Sequence, residues 1–402
     1  MPLPLSPPPP WLSAQHSPGS RSAFCGLIET STSRLLLTTY AWLPPRGVTM
    51  RGAVLFMHGW GSHAAFDLLT TARGDDTVFG GRHETYEGSF AQHLAEKCGL
   101  AVLAYDCQSM GRSEGKFGLK AFFSSMDELV SDARDVLLHL LANLDVPEER
   151  ETPLPVFLFG SSLGGAVAVR LAAQLCKAEG VIAHKHITIG VRRVPHPHRR
   201  GTGPTPNLDP VPPPVPEPSA TPPTFEIRGL ITVAAAITLE RLKEQGCNRL
   251  LSRIAPVLSL CAPPWLELST LPPNPKFAHK YQEHVEDPLT YKGPQRLRTA
   301  LEVSRHSTLL AGDPSKAVLR SITLPFLGFH SRGDLICDPA SLELLRDGLG
   351  TRDITVCWHN DGYHHLIQEP GNDRVRREIE DWVKERVAEE EGTIARRKEL
   401  VL

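Results

Sequence analysis

The sequence lacks the features that mark several whole classes of protein. Its 402 residues carry a formal net charge of −2, without the basic excess that a nucleic-acid partner would require. The eight cysteines are scattered and form no C-x-x-C pair, which argues against zinc or disulfide frameworks and favours reduced thiols. No apolar run approaches the length of a membrane span, and residues 1–10 lack the pattern of a signal peptide. We therefore expect a cytoplasmic protein that does not bind nucleic acid.

Proline, by contrast, is abundant and unevenly placed. Residues 1–22 are rich in proline and serine, and we predict that they are disordered. A basic tract and twelve prolines fall within residues 183–224, ten of the prolines between Pro204 and Pro223, which predicts a disordered insertion in a surface connection. A retained intron or a mis-assembled gene model would leave the same pattern. The rest of residues 23–402 is expected to form one domain.

Two minor motifs lie in or beside this insertion. Four histidines without carboxylate support occur there, and we expect no metal site from them. The segment Pro210-Val211-Pro212-Pro213 fits a P-x-x-P ligand of an SH3-type domain, but such tracts in linkers usually act only as linkers. We expect no SH3-type partner.

Apolar strands alternate with helical segments along the remainder of the chain. Strands are predicted at Leu27–Thr32, Leu35–Trp42, Ala53–Met57, Leu100–Tyr105, Pro155–Phe159, Gly229–Ala234, Pro325–Phe329 and Ile354–Trp358. Helices are predicted at Phe90–Lys97, Met126–Leu144, after Ser162 as far as residue 178, and at Val375–Glu389. This alternation predicts an α/β fold, with a mostly parallel sheet covered by helices on both faces. In such sheets the chemistry gathers at the carboxyl ends of the strands.

One predicted strand runs into the turn Gly160-Ser161-Ser162-Leu163-Gly164, and a helix of small residues follows it. A G-x-S-x-G turn between strand and helix is typical of a nucleophile elbow, whose strained backbone needs flanking glycines. Ser162 lies at the centre of the pattern, whereas Ser161 would point elsewhere. A plain glycine-rich turn is the alternative. We predict that Ser162 is a nucleophile.

A serine nucleophile needs a base and an acid that orients the base, in the order Ser, acid, His along an α/β-hydrolase chain. Asp334 follows a predicted strand and is the acid candidate, with Asp338 as its rival. Asp338 precedes Pro339 and an apolar helix, so a helix cap explains it better. His364 follows the next predicted strand and is the base candidate, although the adjacent His365 stays open.

The reaction would also need two backbone N–H donors for the oxyanion. The amide of Leu163 directly follows the nucleophile at the positive end of the elbow helix. Trp60 in the loop His58-Gly59-Trp60-Gly61 is the best second donor, and an ordinary glycine turn is the alternative for that loop.

The full set of motifs resembles the monoacylglycerol lipase-like α/β-hydrolases, also described as the serine aminopeptidase or lysophospholipase-type branch. The resemblance rests on His58–Gly61, Gly111–Gly115, Gly160–Gly165, Glu286–Gly293, Gly333–Asp338 and Gly362–His364. It implies the α/β-hydrolase fold, a helical cap at about 239–286, and catalysis by Ser162, Asp334 and His364. Two departures, Ser161 and the 107–110 loop, could alter the floor of the pocket and so the substrate.

These features predict a serine hydrolase that cleaves carboxylic esters through an acyl-enzyme on Ser162, without metal or cofactor. Monoacylglycerols, lysophospholipids or similar lipids are the expected substrates. An apolar segment at Leu250–Leu260 could line a lid, accept an acyl chain and touch a membrane surface, or could simply pack in the core. Acyl transfer, hydrolysis of small amides or peptides, and a non-catalytic scaffold are the alternative functions.

Overall fold

The structure is a computed structural model of the chain, and it describes nine ranges of residues. They are 23–71, 83–146, 152–178, 181–184, 187–191, 224–238, 263–268, 274–311 and 318–399. The predictions for residues 1–22, for most of the insertion and for the apolar cap segment Leu250–Leu260 lie outside these ranges.

A mixed β-sheet forms the centre of the molecule. The described residues contain β1 (Ala23–Glu29), β2 (Leu36–Trp42), β3 (Gly52–Met57), β4 (Thr70–Thr71), β5 (His83–Thr85), β6 (Leu100–Tyr105), β7 (Leu154–Ser161), β8 (Val181–His184), β9 (Ile187–Val191), β10 (Phe225–Val233), β11 (Phe326–His330) and β12 (Ile354–Trp358). The main sheet runs in the order β1-β2-β6-β3-β7-β10-β11-β12, with β9 beside β10 and β8 beside β9. From β6 to β12 along this order every pair is parallel, whereas β1, β2 and β8 pair antiparallel. Strands β4 and β5 form a separate pair.

Helices cover both faces of this sheet. They are α1 (Ala64–Leu68), α2 (Phe90–Gln92), α3 (Met126–Ala142), α4 (Leu163–Lys177), α5 (Ala278–Glu286), α6 (Leu297–Ala311), α7 (Ala340–Gly348) and α8 (Asp373–Glu399). A π-helical turn, His93–Lys97, continues α2, and 3₁₀ turns form at Lys116–Gly118 and Val318–Ser321. None of the helices within the described ranges has the length and apolar composition needed to cross a membrane.

Alternate side chains of the central strands pack into two separate cores. Leu55 and Leu103 face the core that contains α3 and α4. Val54 and Phe56 face the opposite core, which contains α1, α2 and α8. This division follows from the strand geometry, in which successive side chains point to opposite faces. Because both faces are covered, the strands read as continuous apolar runs, and the predicted α/β fold is confirmed.

The predicted insertion differs from the structure at its first residues. Residues 183–184 and 187–191 belong to β8 and β9, and β9 pairs with the start of β10. The β-branched residues Ile187, Ile189 and Val191 alternate with smaller ones, and Ile189 is fully buried. This alternation suits a β-strand. The sheet therefore extends to Val191, and residues 192–223 lie outside the described ranges.

Candidate active site

The turn between β7 and α4 holds Ser162 in a strained conformation. Its φ is 54° and its ψ is −118°, a region that costs a non-glycine residue about 1–3 kcal/mol. The two flanking glycines permit the turn, because a Cβ on Gly160 would overlap the backbone of Gly164 and a Cβ on Gly164 would overlap the carbonyl group of Met57. The predicted elbow is therefore present, with Ser162 at its apex.

The loops after β11 and β12 bring Asp334 and His364 together. The Nδ1–H of His364 donates to Oδ2 of Asp334 at 2.8 Å, and both side chains are buried. Oδ2 also accepts from Nε2 of His330 at 3.1 Å. Oδ1 accepts the backbone N–H groups of Ile336 at 2.8 Å and Cys337 at 3.0 Å. Four donors thus surround the carboxylate and fix its orientation.

The charges of this pair stabilise each other. Burial alone would raise the pKa of Asp334, but the facing His364 and His330 outweigh burial and hold that pKa well below its usual range. Burial alone would lower the pKa of His364, but the charge and hydrogen bond of Asp334, with smaller contributions from Glu369 and Asp67, raise it above its usual value. Asp334 therefore stays ionised and makes His364 more basic.

Cys337 lies between Ser162 and this pair. The Oγ of Ser162 and the Sγ of Cys337 are 3.7 Å apart and form a hydrogen bond, and the backbone N–H of Cys337 donates to Asp334. Burial raises the pKa of the Cys337 thiol, which keeps it neutral. Among the described residues the Ser162 hydroxyl has no hydrogen bond to His364. In this structure the serine is thus turned toward Cys337, beside the histidine–carboxylate pair.

The rival residues occupy other positions. Oδ1 of Asp338 accepts the backbone N–H of Ala340 at 3.0 Å, where α7 begins, as expected for a helix cap. The ring of His365 packs edge-on against that of His364, with centroids 5.0 Å apart. Burial and the neighbouring His364 lower the pKa of His365 far below its usual value. Ser161 is buried as the last residue of β7.

The loop after β3 passes close to Ser162. A Cβ placed on Gly59 would lie 3.2 Å from Cβ of Ser162, so glycine lets the loop approach. The backbone N–H groups of Trp60 and Leu163 have no hydrogen-bond partner within the described part of the chain. The amide of Leu163 is the first of α4, where the helix dipole is positive. The two predicted oxyanion donors therefore flank the serine.

Side chains from three directions hold this loop in place. The indole Nε1–H of Trp60 donates to the carbonyl of Ala121 at 3.0 Å. The buried carboxylate of Asp67, on α1, accepts from Oγ of Ser62 at 2.7 Å and from the N–H of Gly59 at 3.3 Å. Fixed donors contribute most to oxyanion binding when they need no reorganisation, and these contacts give the loop with the predicted donor Trp60 that fixed position.

The third set of contacts comes from the segment after α5. The buried side chains of His63 and Asp287 are joined by a hydrogen bond of 3.2 Å. The N–H of Tyr291 donates to the carbonyl of Gly61 at 2.7 Å, and its ring packs edge-on against Trp60 at 5.6 Å. The segment that follows α5 is thereby attached directly to the loop after β3.

The 107–110 loop, which departs from the family pattern, packs within the fold. The backbone N–H of Cys107 donates to Nε2 of His58 at 2.8 Å. The side chain of Gln108 donates to Asp132 at 2.9 Å, and Met110 is buried. The loop thus supports the residue at the start of the His58–Gly61 loop.

Sequence analysis missed three polar residues that contact the site: Asp67, His330 and Glu369. His330 ends β11, four residues before Asp334, so its place at a strand end was a usable signal. Glu369 lies five residues after His364 and accepts hydrogen bonds from backbone groups of the loop that carries it. Asp67 is a buried acid in an otherwise apolar helix.

Comparisons with known proteins agree with this geometry. A profile of the family described as "Serine aminopeptidase, S33" matches residues 78–184 and 219–371, more than half of the chain. Monoglyceride lipase of Mus musculus is 23% identical over 351 residues, covering 86% of this chain and 91% of the mouse protein. Monoglyceride lipase of Rattus norvegicus is 24% identical over 350 residues, covering 86% of this chain and 91% of the rat protein.

Solved structures give the same fold. A monoglyceride lipase from Saccharomyces cerevisiae, in complex with a substrate analog, has a TM-score of 0.60 at 15% identity and covers 90% of this chain and 94% of its own. A monoacylglycerol lipase from Paleococcus ferrophilus has a TM-score of 0.54 at 18% identity, and the match covers 87% of this chain and 99% of that protein. The resemblance inferred from the motifs is confirmed: the chain belongs to the serine aminopeptidase, S33 family and has the α/β-hydrolase fold.

Proposed function

We propose that this protein is a serine ester hydrolase that cleaves monoacylglycerols or closely related single-chain lipid esters. The observation that carries the proposal is the 2.8 Å hydrogen bond between His364 and Asp334. It lies at the carboxyl-terminal ends of the parallel strands, where the strained elbow also presents Ser162. A buried, ionised carboxylate on Nδ1 leaves Nε2 of the imidazole free to accept a proton.

The reaction begins when the Ser162 hydroxyl turns from Cys337 toward His364. Oγ attacks the ester carbonyl carbon while its proton passes to Nε2 of His364. The N–H groups of Trp60 and Leu163 receive the negative charge of the tetrahedral oxygen. The imidazolium then protonates the departing alcohol, which leaves an acyl group on Ser162. Water, deprotonated by His364, releases the acid and restores the serine.

The relatives support the choice of ester and of lipid. The family description names an aminopeptidase, whereas the mouse and rat relatives that align with 86% of the chain are monoglyceride lipases. The yeast protein with the same fold was solved with a substrate analog. Ester hydrolysis is therefore preferred over amide hydrolysis, acyl transfer and a non-catalytic scaffold.

Labelling with a fluorophosphonate tests the nucleophile, and the chain offers a matched control. Wild-type protein and Ser161→Ala should be labelled, and Ser162→Ala should not, because only Ser162 lies at the apex of the elbow. An ester panel of rising chain length, with a monoacylglycerol included, then tests the substrate. Labelling that survives Ser162→Ala, or an unlabelled wild-type protein, would overturn the assignment.

Peripheral contact with a membrane is a separate part of the proposal. Trp265 and Leu266, in the cap region, are 66% and 43% exposed, and an exposed tryptophan suits the boundary between water and lipid. Trp265→Ala should weaken flotation with phosphatidylcholine vesicles. Phe117→Ala is the control, because Phe117 is 71% exposed but lies outside the cap. Equal flotation of the two variants would contradict this part, and a cytoplasmic location stays a prediction.

A further inference from the structure

Glu369 is a buried carboxylate that binds the loop carrying His364. It is 1% exposed. Its Oε2 accepts the backbone N–H of Tyr363 at 2.6 Å, and its Oε1 accepts those of His364 at 2.9 Å and His365 at 2.8 Å. Three consecutive amides thus point at one carboxylate, and one of them belongs to the histidine itself.

The partners of Glu369 leave its charge unneutralised. Besides the three amides, Nδ2 of Asn274 donates to Oε1 at 3.4 Å. Within the described ranges the carboxylate forms no ion pair with lysine or arginine. Burying a carboxylate without a cation is costly, and a neutral acceptor could satisfy amide donors at a lower cost. The negative charge therefore calls for an explanation beyond fixing the loop.

The cation that this charge can stabilise is the His364 imidazolium formed during the reaction. Its ring contacts the carboxylate of Asp334 in the loop after β11 and the neutral ring of His365, and the charge of Asp67 on α1 also favours its protonated form. Glu369 raises the pKa of His364 in the same direction as Asp334 and Asp67. Asp334 acts through a hydrogen bond to the ring, whereas Glu369 binds backbone N–H groups of the loop that carries the ring.

We propose that Glu369 is a positioning residue of the active site, which fixes the loop that carries His364 and supplies a further negative charge to the imidazolium. The proposal rests on the role of His364 as the base. It separates two contributions of one side chain, the geometry of three hydrogen bonds and the charge, and different substitutions remove them.

The first variant, Glu369→Gln, removes the charge and keeps the length of the side chain; its amide oxygen can still accept the N–H groups of His364 and His365, whereas its NH₂ group cannot accept that of Tyr363. The second, Glu369→Asp, keeps the charge but shortens the side chain, so it cannot reach all three amides. Asp361→Asn is the matched control, because Asp361 is an exposed carboxylate in the same loop. Thermal unfolding checks that each variant is folded. The pKa of His364 is measured by NMR titration of histidine-labelled protein, with His364→Ala for assignment, and kcat/KM is measured against pH.

In Glu369→Gln we expect the pKa of His364 to fall by roughly 0.5–1 unit, less than the 1–3 units that a contacting carboxylate supplies. In Glu369→Asp we expect a pKa within about 0.3 unit of wild type and kcat about 10-fold lower, because a misplaced base reacts slowly. Asp361→Asn should change neither quantity. If Glu369→Gln does not fold, the Glu369→Asp result decides alone, and an unchanged kcat would then overturn the proposal.

A folded Glu369→Gln protein whose His364 titrates as in wild type would also overturn it, since the carboxylate would then only be structural. The NMR measurement needs no catalysis. If the wild-type protein hydrolyses no ester but Glu369→Gln still lowers the pKa of His364, the proposed function fails while the electrostatic action of Glu369 stands. If the protein is active and the pKa does not move, the function stands and the proposal for Glu369 fails.

Discussion

Replacing Asp334 with asparagine tests the site most severely, because all four of its hydrogen-bond partners are donors. Oδ2 accepts from His364 and His330, and Oδ1 accepts from the backbone N–H groups of Ile336 and Cys337. An asparagine has one acceptor oxygen and one donor NH₂ group. Two of the four donors must therefore lose their acceptor, or must give up the proton that they donate.

Only the histidines can change, since an imidazole can move its proton whereas a backbone amide cannot. We expect the asparagine oxygen to face the two amides and its NH₂ group to face the histidines. His364 would then accept at Nδ1 and carry its proton on Nε2, where it can no longer take the proton of Ser162. The expected loss of acylation rate is about 10,000-fold, the size found when a triad histidine is held in the wrong tautomer.

The assay is the rate of fluorophosphonate labelling, with thermal unfolding to confirm that each variant is folded. Asp338→Asn is the matched control: it removes the same charge four residues away, and asparagine also caps helices well. We expect its labelling rate to stay within about 3-fold of wild type, since the residue caps α7. A folded Asp334→Asn that labels within about 10-fold of wild type would refute the tautomer argument.

Three further predictions concern His364, Gly164 and Asp132. Because the pKa of His364 is raised and the base must be neutral, kcat/KM should fall on acidification with a midpoint above 6.5, and a midpoint at or below 6.5 would contradict this. Gly164→Ala should cost about 3 kcal/mol or more of unfolding free energy, because the new Cβ would overlap the rigid carbonyl of Met57; an unchanged midpoint of urea unfolding would count against it. Burial raises the pKa of Asp132 from 3.8 to about 6, despite hydrogen bonds that favour its ionised form. The folded state therefore resists ionisation, and its stability falls as pH rises between those two values. Asp132→Asn lacks this loss, so its unfolding free energy relative to wild type should improve by about 2 kcal/mol between pH 4 and pH 7, as urea unfolding at both pH values would show.

The elbow could be predicted from sequence because its cause is local. Gly160 and Gly164 are needed by the turn itself, and the apolar strand before them and the small-residue helix after them occur in one continuous stretch. The positions of Asp334 and His364 could also be predicted, because both follow strands of a parallel sheet whose carboxyl ends share one edge. In the structure Nδ1 of His364 lies 2.8 Å from Oδ2 of Asp334.

The surroundings of the site could not be predicted in the same way. Glu369 binds backbone amides, which every residue carries, so its partners leave no sequence pattern. His330 shares one oxygen of Asp334 with His364, and this convergence depends on how two loops pack. The predicted insertion begins at residue 183, earlier than in the structure, because the segment of β9 is short and a proline-rich tract follows it in the sequence.

The described segment 274–291 contacts the loops of the active site at both of its ends. At one end Asn274 reaches Glu369 behind the histidine loop. At the other, Asp287 and Tyr291 bind the loop that carries Trp60. Residues 274–291 therefore connect the loop of His364 to the loop of Trp60, so a displacement of this one segment would reach both loops at once.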